Sequence, residues 1–238
     1  MMSVYNLGDT KVFCSVLKKY RYMADAIQRK AAICENAECR LVTMKGKYKF
    51  CELQDISENE LWQQTIVVVL ESPYKEEFDD LLEKPRPAQG VTGCMLRCGL
   101  PGVLHKLVAD GKINIKQNCR IIIMNAIPYR CDWDSGTNKK TNKKNQIFCD
   151  MWTKKKFGEK FYKCLCAYNP EIIFNCCTKD FRGKVQEQIE CFIKQQGTVN
   201  THCYIAKHPR SWFNTKHRGF ECCNGKQCRK VAEINFHW

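Results

Sequence analysis

The sequence predicts a three-layer α/β/α fold on a four-stranded, mainly parallel sheet. Three observations carry that expectation. Four short apolar runs, Thr65–Leu70 (TIVVVL), Cys119–Asn125 (CRIIIMN), Glu171–Cys176 (EIIFNC) and Thr201–Ala206 (THCYIA), have strand length. The first three are continuously apolar rather than alternating, as strands covered on both faces are. Helical stretches separate the runs, and alternating strands and helices build a parallel sheet. With 238 residues the chain can bury a full core in one decorated α/β domain without disulfide staples.

Taken in order, the segment from about Lys11 to Ala32 places Val12, Val16, Tyr20, Met23, Ala24, Ile27 and Ala31 at spacings of three and four, one apolar helical face. Leu41–Phe50 (LVTMKGKYKF) carries Lys45-Gly46-Lys47 at its middle and reads as a basic turn or hairpin. Three further helices are expected at about Cys94–Ala109, Ile147–Ala167 and Phe181–Gln195, the second stopped by Asn169-Pro170. Ser135–Asn145 (SGTNKKTNKKN) holds no apolar residue and reads as a flexible basic loop. Residues 1–60 are expected to form a helical, cysteine-containing extension packed on the core, and residues 61–238 the α/β domain.

Composition narrows the function. The apolar fraction of 44%, with 11% aromatic residues, is that of a folded chain. No apolar run approaches the roughly 20 residues that span a bilayer, and the first thirty residues lack the order of a signal peptide. A cytoplasmic protein without membrane contact is expected, and a monomer, since no obligate protein partner is evident. Lys+Arg 39 against Asp+Glu 25 leaves a net charge of +14, a field that attracts polyanions. The 18 cysteines, read without an export signal, are expected to be mostly free thiols, several in apolar runs such as Cys119, Cys149 and Cys176. Cys34, Cys39 and Cys51 form no CxxC pair; they keep a zinc or iron–sulfur site open as a minor alternative to a chain without cofactor.

In an open parallel sheet, ligands sit at the carboxyl ends of the strands. Four segments follow those ends here: Glu71-Ser72-Pro73-Tyr74, Asn125-Ala126-Ile127-Pro128-Tyr129-Arg130, Cys177-Thr178-Lys179 and Lys207-His208-Pro209-Arg210. The rim gathers a carboxylate to activate water, an amide to read a base edge, a histidine to stabilise an anionic leaving group, and cations for phosphates. Those are the groups needed to break a glycosidic bond in a nucleic acid.

From about Thr65 onward the pattern resembles the uracil-DNA glycosylase superfamily. Val67–Pro73 (VVVLESP) looks like its first motif, most like the Glu-Ala-Pro version of the iron–sulfur (family 4) branch. Arg86-Pro87-Ala88-Gln89-Gly90-Val91-Thr92-Gly93-Cys94-Met95-Leu96 is similar to that branch's R-P-F-x-G-x-x-G-x-x-L segment. Asn125 looks like the base-reading Asn, His208-Pro209 like the H-P motif, and His217-Arg218-Gly219-Phe220 like the segment that follows it.

The resemblance implies a uracil-DNA glycosylase-like fold and a monofunctional DNA glycosylase, a hydrolase that needs no metal. Such an enzyme flips one nucleotide into a pocket and leaves an abasic site, in DNA repair or in defence against phage DNA with modified bases. Glu71, His208 and Asn125 would be catalytic: Glu71 orients water, His208 stabilises the departing base, and Asn125 binds its edge. Ser72, Pro73, Tyr74, Ala88, Gly90 and Tyr129 would line the substrate pocket. Lys75, Lys179, Lys207, Arg210 and Arg218 would contact DNA, with Trp212 or Phe213 as the wedge that fills the vacated stack.

The chain also departs from the pattern. Ser72 stands where the uracil-specific branch has Asp, and Tyr74 where the iron–sulfur branch has Gly. Ala88 replaces the aromatic that stacks on the flipped base, which implies a pocket open to bulkier bases than uracil. The cluster's four-cysteine pattern is not reproduced. The loss of Asp also sustains an alternative, a catalytically inactive glycosylase-fold protein that only binds DNA.

Overall fold

A computed structural model describes residues 37–44, 47–52, 62–73, 87–88, 91–116, 119–129, 131, 140–154, 156–196, 201–209, 212, 218–221 and 227–229. The helix expected at about Lys11–Ala32 lies outside them. Ala37–Met44 (β1) and Lys47–Glu52 (β2) pair antiparallel on either side of Lys45-Gly46, and β1 runs antiparallel along Cys119–Asn125 (β4), Ala37 opposite Ile123. The expected parallel strands are Gln64–Leu70 (β3), β4, Ile172–Asn175 (β5) and His202–Ile205 (β6). β3 pairs in parallel with both β4 and β5, and β5 with β6.

The sheet therefore holds six strands, in the order β2-β1-β4-β3-β5-β6. Its parallel part is the expected four; the hairpin adds two more, so a boundary between residues 60 and 61 falls between β2 and β3 of one sheet. Arg218–Glu221 (β7) and Gln227–Arg229 (β8) form a separate antiparallel ribbon.

Val91–Ala109 (α1) covers one face, its Leu96, Leu100, Val103, Leu104 and Leu107 packed on Ile66, Val68, Ile121, Ile123 and Phe174. Lys140–Lys154 (α2), Phe157–Tyr168 (α3) and Lys179–Gln196 (α4) cover the other, against Val67, Val69, Ile122, Met124 and Ile173. Coverage on both sides is why β3 and β4 are apolar at successive positions. The chain passes from β3 to β4 beneath α1, then reverses beneath α2 and α3 to β5, and continues beneath α4 to β6. Reversing direction while changing face keeps one crossover hand, as parallel connections require.

Two helical expectations are corrected. α2 starts at Lys140, so the last residues of the expected basic loop are helical. The single helix expected at Ile147–Ala167 is two, broken at Lys156 with φ 58° and ψ 28°. At the start of α3, Gly158 passes so close to Trp152 of α2 that a Cβ there would lie 3.1 Å from its Cε2.

Cys119, Cys149 and Cys176 are free thiols, as expected. Cys34 lies outside the described residues. Cys39 stands opposite Glu52 and Cys51 opposite Arg40 in the register of β1 and β2. Among the described residues, no helix is long and apolar enough to cross a membrane.

Candidate functional site

β3 and β5 are neighbours, yet the chain leaves β3 to one side for β4 and returns on the other side to β5. That is a topological switch point, where open α/β sheets bind ligands beyond the carboxyl ends of their strands. Glu71 follows β3 directly and is 4% exposed. Thr178 follows β5, and its hydroxyl donates a hydrogen bond to Glu71 Oε2 across the switch point.

The main chain around Glu71 is fixed by hydrogen bonds that run past the strand ends. The Ala126 N–H donates to Leu70 O at 2.8 Å and the Ile127 N–H to Glu71 O at 3.1 Å. On the other side the Cys176 N–H donates to Val69 O at 2.9 Å, and the Ala206 N–H to Asn175 O at 3.0 Å. Asn125, register partner of Leu70, is 3% exposed at the end of β4. His208 is half-buried two residues after Ala206, and Pro209 behind it is buried. Four consecutive strands thus present Asn125, Glu71, Thr178 and His208 at one end of the sheet. The Glu71 and His208 loops leave the sheet two strand spacings apart, roughly 10 Å, with the Thr178 turn between them.

That turn is braced from within. The fully buried Asn175 donates from Nδ2 to Arg182 O at 3.3 Å and to Gln186 Oε1 at 3.0 Å, and its Oδ1 accepts from the Cys177 N–H at 3.3 Å. Arg182 Nε donates to Cys177 O at 3.0 Å, so the Cys177 residue is held at both its N–H and its carbonyl. Burial pushes the Cys176 thiol far above its ordinary range and that of Cys203 up to about 11. Protonated thiols are poor nucleophiles, so neither offers a thiolate at neutral pH.

Glu71, Asn125 and His208 lie at the same end of the sheet, as do the half-buried Ser72, the buried Pro73 and the exposed Lys179 and Lys207. Three expected residues are instead core. Ala88 is fully buried among the apolar side chains under α1, at a left-handed φ of 60°, so it does not act as an open pocket wall. Tyr129 packs edge-on against Phe157 with ring centroids 5.5 Å apart, in the core on the opposite face. Trp212 is 3% exposed, and its indole N–H donates to Lys207 O at 2.6 Å; held inside, it cannot serve as a wedge. Tyr74, Lys75, Gly90, Arg210 and Phe213 lie outside the described residues, and Arg218 opens β7 of the separate ribbon.

Thr178 and Asn175 enter the site without having been singled out. Thr178 stood in a rim segment, but its partnership with Glu71 depends on β5 lying beside β3, which no local pattern reports. No family model, no curated protein and no solved structure matches the chain.

Proposed function

We propose that this protein is a DNA glycosylase, which flips a damaged or modified base out of DNA and hydrolyses its N-glycosidic bond to leave an abasic site. The observation that carries the reading is the placement of Glu71 at the switch point, with Asn125 and His208 on the strand ends to either side. The +14 charge supports a polyanionic substrate, as do Lys179 and Lys207 exposed at the same end of the sheet.

In this reading Glu71 orients a water towards C1′ of the flipped nucleotide as positive charge develops on the sugar. His208 stabilises the negative charge that passes to the departing base, and Asn125 pairs with the base edge through one donor and one acceptor. The glycosidic bond breaks with its electron pair on the base. The water gives its oxygen to C1′ and a proton to solvent by way of the carboxylate.

The test is a set of oligonucleotides carrying uracil, other damaged bases and bulky modified bases, scored for alkali-labile abasic sites. Wild-type protein is expected to open at least one. Glu71→Gln is expected to lose about 100-fold or more in single-turnover rate, in the range of general-base contributions, while its affinity for the same DNA stays within a few-fold. A Glu71→Gln protein as fast as wild type rejects the mechanism. A wild type that binds DNA and releases no base supports the inactive, DNA-binding alternative that Ser72 favours.

A further inference from the structure

Thr178 stands where a helix-capping residue stands. Its carbonyl accepts the first hydrogen bonds of α4, from the Phe181 N–H at 3.1 Å and the Arg182 N–H at 2.9 Å. A threonine in that position ordinarily turns its side chain towards the N–H groups of its own helix. Here the one proton of its hydroxyl goes across the switch point to Glu71 Oε2.

A glutamate side chain has three rotatable bonds, and burial alone does not choose the plane of its carboxylate. A donor fixed on Oε2 does choose it, and so fixes the direction of Oε1. The donor is itself fixed: Asn175 and Arg182 hold the Cys177 residue at its N–H and its carbonyl, one residue before Thr178.

We propose that Thr178 is a positioning residue for the proposed hydrolysis, its hydroxyl setting the plane of the Glu71 carboxylate so that the second oxygen is aimed at the attacking water. The inference rests on the glycosylase reading of the site. It names a residue that the sequence resemblance did not supply, and a division of labour between the two oxygens of Glu71: Oε2 is anchored, Oε1 works.

The experiment uses the full chain and the base-containing oligonucleotide that wild type opens best. Single-turnover rate, DNA affinity and melting midpoint are measured for wild type, Thr178→Val and Thr178→Ser. Thr178→Val keeps the shape and removes the donor. It is expected to lower the rate about 10- to 100-fold, the range of one hydrogen bond to a charged group, with DNA affinity within about threefold of wild type. Thr178→Ser restores the donor and is expected to recover most of the rate.

A Thr178→Val protein as fast as wild type overturns the proposal, and so does a rate loss accompanied by an equal loss of DNA affinity, which marks general damage to the loop. Should Thr178→Val fail to fold, Thr178→Ser and Thr178→Ala decide: a Ser variant no faster than the Ala variant overturns the proposal. Wild-type protein that releases no base overturns the glycosylase reading first and this inference with it. An active wild type with an indifferent Thr178→Val overturns the inference alone.

Discussion

Gly93 is fixed by two neighbours, Ala88 and Arg97, whose Nη1 would lie 2.7 Å from a Cβ there. A Cβ on it would lie 1.4 Å from the carbonyl oxygen of Ala88, far inside any tolerable contact. That carbonyl accepts a hydrogen bond from Arg97 Nη1 at 3.0 Å, and Ala88 itself holds a φ of 60°. The three residues close the chain onto the first turns of α1, and none can shift without disturbing the others. Gly93→Ala is therefore expected to cost about 1–3 kcal/mol through overpacking. The melting midpoint should fall by about 2–4 °C for each kcal/mol lost. A thermal melt matching wild type would contradict that close approach. The resemblance marked Gly93 by its place in a motif; the structure gives that glycine a steric reason. The same geometry explains why Ala88 misled: a small residue in place of an aromatic suggested space, whereas the position is a left-handed turn sealed into the core.

At the scale of the element, what proved legible was what is written locally. The continuous apolar runs placed β3, β4 and β5 to within a residue, because strands covered on both faces are apolar at most positions; β6, with His202 and Ile205 exposed, was marked by the length of its run. Asn169-Pro170 marked the end of α3, and Asn169 closes that helix in the left-handed region, φ 45° and ψ 59°, its N–H donating to Leu165 O at 2.8 Å. Asn169→Gly is expected to leave stability unchanged within about 0.5 kcal/mol. Asn169→Val, which resists that conformation, should cost about 1–2 kcal/mol in denaturant melts. Equal losses in the two variants would assign the stop to something other than backbone handedness. The break at Lys156 was illegible because no glycine or proline stands there, and a lysine in the left-handed region leaves no mark in the sequence. Membership of the hairpin in the sheet was illegible too, since β1 finds β4 across a long stretch of chain. The Glu71–Thr178 bond is hidden for the same reason: strand order decides it, and strand order is a property of pairing rather than of any one run.

For the molecule as a whole, the sheet separates two apolar layers, and thiols are packed within both. Burial, aided by Glu171, raises Cys119 to about 12, and burial raises Cys203 to about 11. Cys176 moves in the same direction. In the unfolded chain these thiols lose their protons near the ordinary value of 9.0, so between the two limits the folded state holds more protons. Their contribution to stability is complete below pH 9.0 and is lost as pH climbs towards 11 and 12, at about 1.4 kcal/mol per pH unit for each thiol. Under reducing conditions the melting midpoint is expected to fall between pH 9.0 and pH 11, and Cys203→Ala to fall less steeply. Parallel slopes for the two proteins would contradict a half-buried, protonated Cys203.

The bonds that seat Glu71 begin on Ala126, Ile127 and Thr178, all within three residues of a strand end. A one-residue slip in the pairing of β3 with β4 or β5 would therefore unseat the carboxylate.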